Sequence, residues 1–386
     1  MNNILSKYLT GDKVIWVITI LLSLFSMLIV YSSTSQLSYR FQGGNTEAYI
    51  LKHAVILGVG FLIMVYVHKF KINYFSRLSQ IGIIISVILL LLVLIMPSEK
   101  DAQRWLFGFQ PSDIAKISLI VYLARQLSVN REKLRDFKVL AKKIMLPIAV
   151  ICGLILPADL STAMMLFVDC MVLILISNVS LKHIGVTLGT AIVAFALLLV
   201  MGMSFPKLLP RIDTWGSRIV AWVQGSDAED SAKKNYQTDI AKAGIALGGI
   251  QGTGPSNSTV KNILPSAWAD FIFAIFIEEY GSILGGLTLI LLYLIILYRV
   301  IVIAKNSKSD FGSYLAFGLG FSIVFQAFLN MGVSVNLLPV TGQPLPMISM
   351  GGTSILFTCV SFALILSVSK DVFTNNVDKN KVDYAI

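Results

Sequence analysis

Charge is what this sequence has least of. Asp, Glu, Lys and Arg make up 13% of its 386 residues, where a soluble domain carries roughly a quarter, and 56% of residues are hydrophobic at a mean hydropathy of +0.78. That balance excludes a soluble protein and leaves a polytopic membrane protein. Cysteine and histidine are nearly absent, at three each. Cys152, Cys170 and Cys359 fall inside apolar runs with no C-x-x-C spacing, so neither a disulfide framework nor a zinc site is supported. His53 and His183 stand alone and read as structural histidines. Long polar stretches are missing too, with one exception between Ser204 and Gly281.

What is there is a succession of apolar runs, each near the roughly 20 residues that cross a bilayer. They predict an all-α fold of about ten transmembrane helices, near 14–31, 50–67, 78–96, 110–127, 144–158, 160–177, 184–203, 282–303, 314–331 and 352–369. Lys7 and Lys13 before the run Val14 to Val30 make the first span an uncleaved signal anchor. The fourth span is interrupted by Asp113 and Lys116; parity demands it, because without it the basic loop Arg125 to Lys143 changes sides. With ten spans, a majority of the 31 Lys and Arg gather in short loops on one face, together with both termini. The positive-inside rule makes that face cytoplasmic and the 204–281 loop extracytoplasmic. The net charge of +10 is thereby explained by topology, and no nucleic-acid partner is implied. The chain divides into spans one to seven (1–203), the large outer loop before span eight (204–281), and spans eight to ten with a cytoplasmic tail (282–386).

Several outer-face features are costly in a membrane. Asp113 and Lys116 share a helix face, either as a self-neutralising pair or lining a polar cavity with Arg104 just outside. Asp159, in Pro157-Ala-Asp-Leu-Ser-Thr162, has the chemistry of an N-cap for the sixth span. Pro339, Pro344 and Pro346 rule out a helix across 330–353, so this apolar segment is expected to form an irregular wall between spans nine and ten. The run from Phe271 to Ile303 is too long for one upright span; a short membrane-dipping segment leading into a span from about Ser282 is expected, with at most one of Glu278 and Glu279 facing a cavity. Elsewhere in the outer loop, Trp215 and Trp222 near Arg211 and Arg218 suggest helices lying on the membrane surface. Asp270, immediately before an apolar helical run, has the look of another N-cap and sets a carboxylate at the water–lipid boundary.

Four of these stretches, in this order, resemble the signature segments of the SEDS family (FtsW, RodA, SpoVE). Ala102-Gln-Arg-Trp-Leu106 with Phe109-Gln-Pro-Ser-Asp-Ile-Ala-Lys116 is similar to A-x-R-W-(I/L)…F-Q-P-S-E-(L/F)-x-K, and Pro157 to Thr162 to Q-P-D-L-G-T. Leu264 to Gly281 resembles L-P-E-x-H-T-D-F-I-F-A-x-x-x-E-E-x-G, and Leu338 to Ser354 resembles L-P-V-T-G-x-P-L-P-F-I-S-Y-G-G-(S/T)-S. Asp113 stands where the family usually has Glu, Trp268-Ala269 replace His-Thr, Ser161 replaces Gly and Met350 replaces Tyr, while Asp270 is kept.

The resemblance implies a peptidoglycan glycosyltransferase of the bacterial cytoplasmic membrane, which polymerises lipid II on the outer face and leans towards division-type FtsW over elongation-type RodA. It implies Asp270 as general base and Arg104 and Lys116 as pyrophosphate-binding cations, with Asp113, Asp159, Lys261, Glu278 and Ser349 completing the substrate-binding set. It also implies a class B penicillin-binding protein as partner, among other divisome or elongasome membrane proteins. No cofactor is dictated; a divalent cation, Mg or Mn, is left open. A lipid-II translocase using Asp113, Lys116 and Asp159 as a polar path stays as the alternative, and a non-catalytic scaffold as a third reading.

Overall fold

The computed structural model describes residues 10–34, 46–96, 104–106, 108–177, 179–204, 216, 222, 229–264 and 267–383. Gln103, Lys7, Arg211, Trp215 and Arg218, named above, lie outside them. Among the described residues twelve main helices follow one another: α1 (Lys13–Ser33), α2 (Thr46–Val67), α3 (Ile72–Ile95), α4 (Pro111–Val129), α5 (Leu146–Ile155), α6 (Leu160–Ile176), α7 (Leu181–Ser204), α8 (Glu229–Gly248), α9 (Ile272–Gly281), α10 (Thr288–Asn306), α11 (Asp310–Ser334) and α12 (Gly352–Asp383). No strand occurs among the described residues. Six stretches are long and apolar enough to cross a membrane by length and composition, and Leu160–Ile176 and Leu181–Leu197 are shorter apolar helices. The fold is that of a multi-pass membrane protein.

Local chemistry starts these helices. Asp12 caps α1, its Oδ1 accepting from Val14 N at 2.8 Å; Ser309 caps α11 through Gly312 N at 3.0 Å; Pro111 opens α4 where its missing N–H costs nothing. The fifth span begins earlier than the expected residue 144. A turn of helix at Phe137–Leu140, capped by Asp136, runs through a π-turn (Ala141–Met145) into α5.

The helices alternate in direction, which sorts their ends onto two faces. One face holds Asp12 with Arg299, and Arg131 with Asp310. The other holds the C-terminal end of α1, the start of α4, the α5–α6 turn, the end of α11 and the start of α12.

The long apolar stretch from Ile272 folds back on itself at Gly281. A Cβ added to Gly286 lies 4.0 Å from the ring of Phe273, whereas a straight helix separates these residues by about 20 Å. The turn needs Gly281, which sits at φ +81°, where a side chain would also overlap the carbonyl of Ile250. Residues 249–254 strap this corner: Thr253 N donates to Glu278 O at 2.8 Å, Gly254 N to Glu279 O at 3.0 Å and Ser282 N to Gly249 O at 2.9 Å. The segment α9 is thus a re-entrant helix, buried at every position except Tyr280.

Candidate active site

Asp270 lies at the deep end of that re-entrant helix. Phe271, not Asp270, occupies the N-cap position of α9. The backbone before the helix is gripped by the irregular 335–351 segment: Met350 N donates to Trp268 O at 3.0 Å, Ser349 Oγ to Ala269 O at 2.6 Å and Asn330 Nδ2 to Asp270 O at 2.8 Å. The turn carrying Ser349 is held in its own right. Ser26 Oγ donates to Ile348 O at 2.8 Å and lies 2.7 Å from His53 Nε2, while Tyr293 donates to Pro346 O. Ser26 stands six residues before Ser32 on α1, so this floor lies about 9 Å below the outer end of that helix. The half-buried carboxylate of Asp270 faces Gly342, whose absent side chain leaves Oδ2 3.8 Å from the position a Cβ takes. Gly342 has φ +67°, so a side chain opposite the acid is disfavoured by the backbone as well.

Two polar chains converge on the wall beside Gly342. Arg104 Nη1 pairs with Asp159 Oδ2 at 3.0 Å and its Nε donates to Ala158 O at 3.1 Å. Asp159 caps α6 through Thr162 N, as its sequence position suggests, and Thr162 Oγ1 accepts from Gln343 Nε2 at 2.8 Å. In the second chain, Lys116 Nζ donates to Gln326 Oε1 at 2.8 Å, and Gln326 Nε2 donates to Pro344 O at 2.9 Å. Asn330 Nδ2 ties the two by donating to Gln343 O at 2.8 Å. Of the two readings of Asp113 and Lys116, the intrahelical ion pair does not form: the ammonium turns to Gln326, and Asp113 lies 3.4 Å from the Thr353 hydroxyl at the start of α12. A small cleft lies on each side of the first turns of α4, one lined by Arg104, Ser112 and Asp159, the other by Asp113, Lys116, Ser322 and Thr358.

Lys261 and the two glutamates form a separate, buried cluster near the outer end of α1. Glu278 is fully engaged: it accepts from Ser258 Oγ, from Thr259 N and Oγ1 at 2.8 Å each, and from Val260 N at 3.3 Å. Glu279 accepts from Ser32 Oγ and lies 3.9 Å from Lys261 Nζ, which donates to Ser256 O at 2.7 Å. Both glutamates are buried, one on the 256–261 loop and one on α1. Both are enclosed because the strap and α1 close the two sides of α9.

Sequence reasoning missed several of these residues. Gln326, Asn330 and Gln343 organise the wall, yet amides in apolar runs carry no motif of their own. Asp169, fully buried in α6 and accepting from Ser322 Oγ at 2.6 Å, is a carboxylate in mid-span, a signal that was open to reading. Among the described residues no group of three or more His, Cys, Asp and Glu side chains comes together.

The same chain-wide pattern is found in known proteins. A family model described as Cell cycle protein, for FtsW, RodA and SpoVE, matches residues 12–373. This chain belongs to the FtsW/RodA/SpoVE family. A relative from Saccharophagus degradans named "Probable peptidoglycan glycosyltransferase FtsW" is 30% identical over 372 residues, covering 93% of this chain and 92% of its own. One of the same name from Geobacter metallireducens is 30% identical over 373 residues, at 93% and 94% coverage. In fold, this FtsW/RodA/SpoVE member superimposes on a chain of a solved peptidoglycan synthase complex described as coordinating polymerization and crosslinking, with a TM-score of 0.71 at 22% identity over 95% of this chain and 99% of that one. The Thermus thermophilus rod shape determining protein RodA gives a TM-score of 0.67 at 22% identity, with the same coverage.

Proposed function

We propose that this chain is a peptidoglycan glycosyltransferase of the FtsW type, polymerising lipid II into glycan strands at the outer face of the bacterial cytoplasmic membrane, in cell division. One observation carries the reading: the Asp270 carboxylate faces Gly342, which has no side chain, in a braced wall, with a guanidinium and an ammonium tied to that same wall. Glycan polymerisation requires a sugar hydroxyl to lose a proton as it attacks an anomeric carbon while a pyrophosphate departs. Asp270 is assigned as the base, and Arg104 and Lys116 as the cations that stabilise the departing phosphates. Asp159 orients Arg104 and Gln326 orients Lys116, while Asp113 lies in the same cleft as the ammonium. Ser349, Lys261 and Glu278 act from behind, since their polar atoms are engaged inside the protein. The re-entrant geometry supports treating the end of the 204–281 loop as part of the membrane unit. A divalent cation at the phosphates is compatible with Asp270 and is left to measurement. A transpeptidase of the class B penicillin-binding type is the partner that fits, because strands made at this face need cross-linking close to where they form.

The decisive experiment uses purified full-length protein with lipid II in detergent, where no compartments exist and translocation leaves no product. Glycan strands from the native chain and none from Asp270→Asn, at equal folding and lipid II binding, are expected. Strands from Asp270→Asn at the native rate remove the base; no strands from the native protein, alone or with a transpeptidase partner, favour the translocase.

A further inference from the structure

On the face opposite Asp270, the beginnings of the fifth and seventh spans meet the end of the sixth. The ring of Phe137 lies 5.5 Å from that of His183, joining the helical turn before α5 to the first turn of α7. Lys138, Lys142 and Lys182 are exposed around this contact. No acidic residue occurs between Phe137 and Ala158, nor between Cys170 and Ser204. The nearest carboxylate in sequence, Asp136, is turned to the backbone N of Lys138 at 2.9 Å. The Nδ1 of His183 is buried and has no hydrogen-bond partner. Beside these polar groups are exposed apolar side chains: Leu181 at 77%, Leu175 at 56%, Ile176 at 44% and Phe137 at 41%. Cations, an unpartnered imidazole nitrogen and a bare apolar surface share one corner at the level where a bilayer's head groups lie.

We infer that this corner binds one anionic phospholipid of the adjoining leaflet. Lys138 and Lys182 hold its phosphodiester, and the acyl chains cover Leu175, Ile176 and Leu181. Charge complementarity selects an anionic head group, since the three exposed lysines outnumber the one adjacent carboxylate, Asp136. The exposed apolar side chains select a lipid over a soluble anion, which leaves them uncovered. The site also answers a need of the fold. Among the described side chains of α7, Thr187 alone is buried, so this helix has little protein around it. A lipid fixed at its first turn supplies the anchoring that protein packing does not, directly upstream of the outer loop. The inference stands independently of the proposed reaction.

The test is thermal unfolding of the full-length protein in detergent with added phosphatidylglycerol, phosphatidylcholine or inorganic phosphate, together with native mass spectrometry. Phosphatidylglycerol is expected to raise the melting temperature saturably and to stay bound as one molecule per chain; the other two are expected to do neither. Lys138→Gln/Lys182→Gln is expected to weaken the apparent affinity roughly tenfold or more, at about 1 kcal/mol for each basic side chain near a lipid surface, without lowering the lipid-free melting temperature. Lys305→Gln/Lys308→Gln, elsewhere on the same face, is expected to leave the affinity intact. An unchanged affinity in the first pair overturns the site. An equal shift with inorganic phosphate reduces it to a soluble-anion site, and an equal shift with phosphatidylcholine to general solvation; either result refutes the proposal.

Discussion

Ser349 Oγ donates to the carbonyl of Ala269 at 2.6 Å while accepting from Leu345 N at 2.7 Å. One hydroxyl thereby fastens the proline-rich wall to the residue before Asp270, and the acid's distance from Gly342 becomes a property of the wall. Each element that grips the wall therefore bears on the geometry of the base.

Ser349→Ala removes both bonds inside a buried turn and leaves a carbonyl and an N–H without partners. A loss of about 2 kcal/mol in stability is expected, with a fall in the polymerisation rate at saturating lipid II and little change in KM. Thermal unfolding beside steady-state kinetics checks this; a raised KM at an unchanged rate places Ser349 on the substrate instead.

Arg104 uses a planar fork to hold the Asp159 carboxylate and the Ala158 carbonyl together. Lysine has one compact ammonium and does not reproduce that fork. Arg104→Lys is expected to keep folding and membrane insertion while lowering polymerisation roughly tenfold or more, the worth of a charged hydrogen bond. Native activity in Arg104→Ala removes this residue from the site.

Lys261 and Glu279 offer a test of the buried cluster, because their side chains are 8% and 0% exposed. Lys261→Met leaves the Glu279 carboxylate without its cation and is expected to lower stability by about 3 kcal/mol. Adding Glu279→Gln removes the orphaned charge, so the double variant is expected to melt above the single one. The reverse order shows that the pair at 3.9 Å contributes no net coupling.

Two glycines in similar apolar surroundings are expected to answer oppositely to alanine. Gly281→Ala puts a side chain at φ +81° and into the backbone of Ile250, so folded protein is expected to be lost. Gly189, inside α7 with nothing within 4 Å of a Cβ, is expected to gain about 0.5–1 kcal/mol on the same change. Yield of monodisperse protein and melting temperature separate the two.

Much of this was legible in the sequence for identifiable reasons. Span positions follow from apolar length and parity, so even the fourth span, broken by Asp113 and Lys116, was recoverable. Asp159 as a cap and 330–353 as a wall follow from the fixed chemistry of Asp, Ser, Thr and Pro. Three things were less open to reading. Lys116 faces Gln326 and not its helical neighbour Asp113, because tertiary packing brings an acceptor from a helix more than 200 residues away within reach of the ammonium. Asp270 stands one residue outside the cap position it resembles, since Trp268 and Ala269 are bound by the wall. Glu278 and Glu279 are both buried because the 249–261 strap supplies partners that helical periodicity knows nothing of.

Asp12 has a partner far from it in time as well as in sequence. Its carboxylate takes Arg299 Nε at 2.8 Å, 287 residues on, and its backbone N–H donates to Ser369 Oγ at 2.9 Å, 357 residues on. Synthesis completes the start of α1 long before Arg299 and Ser369 exist, so the seat of this helix is closed only by residues of α10 and α12. A chain truncated before Arg299 is therefore expected to leave Asp12 without its cation.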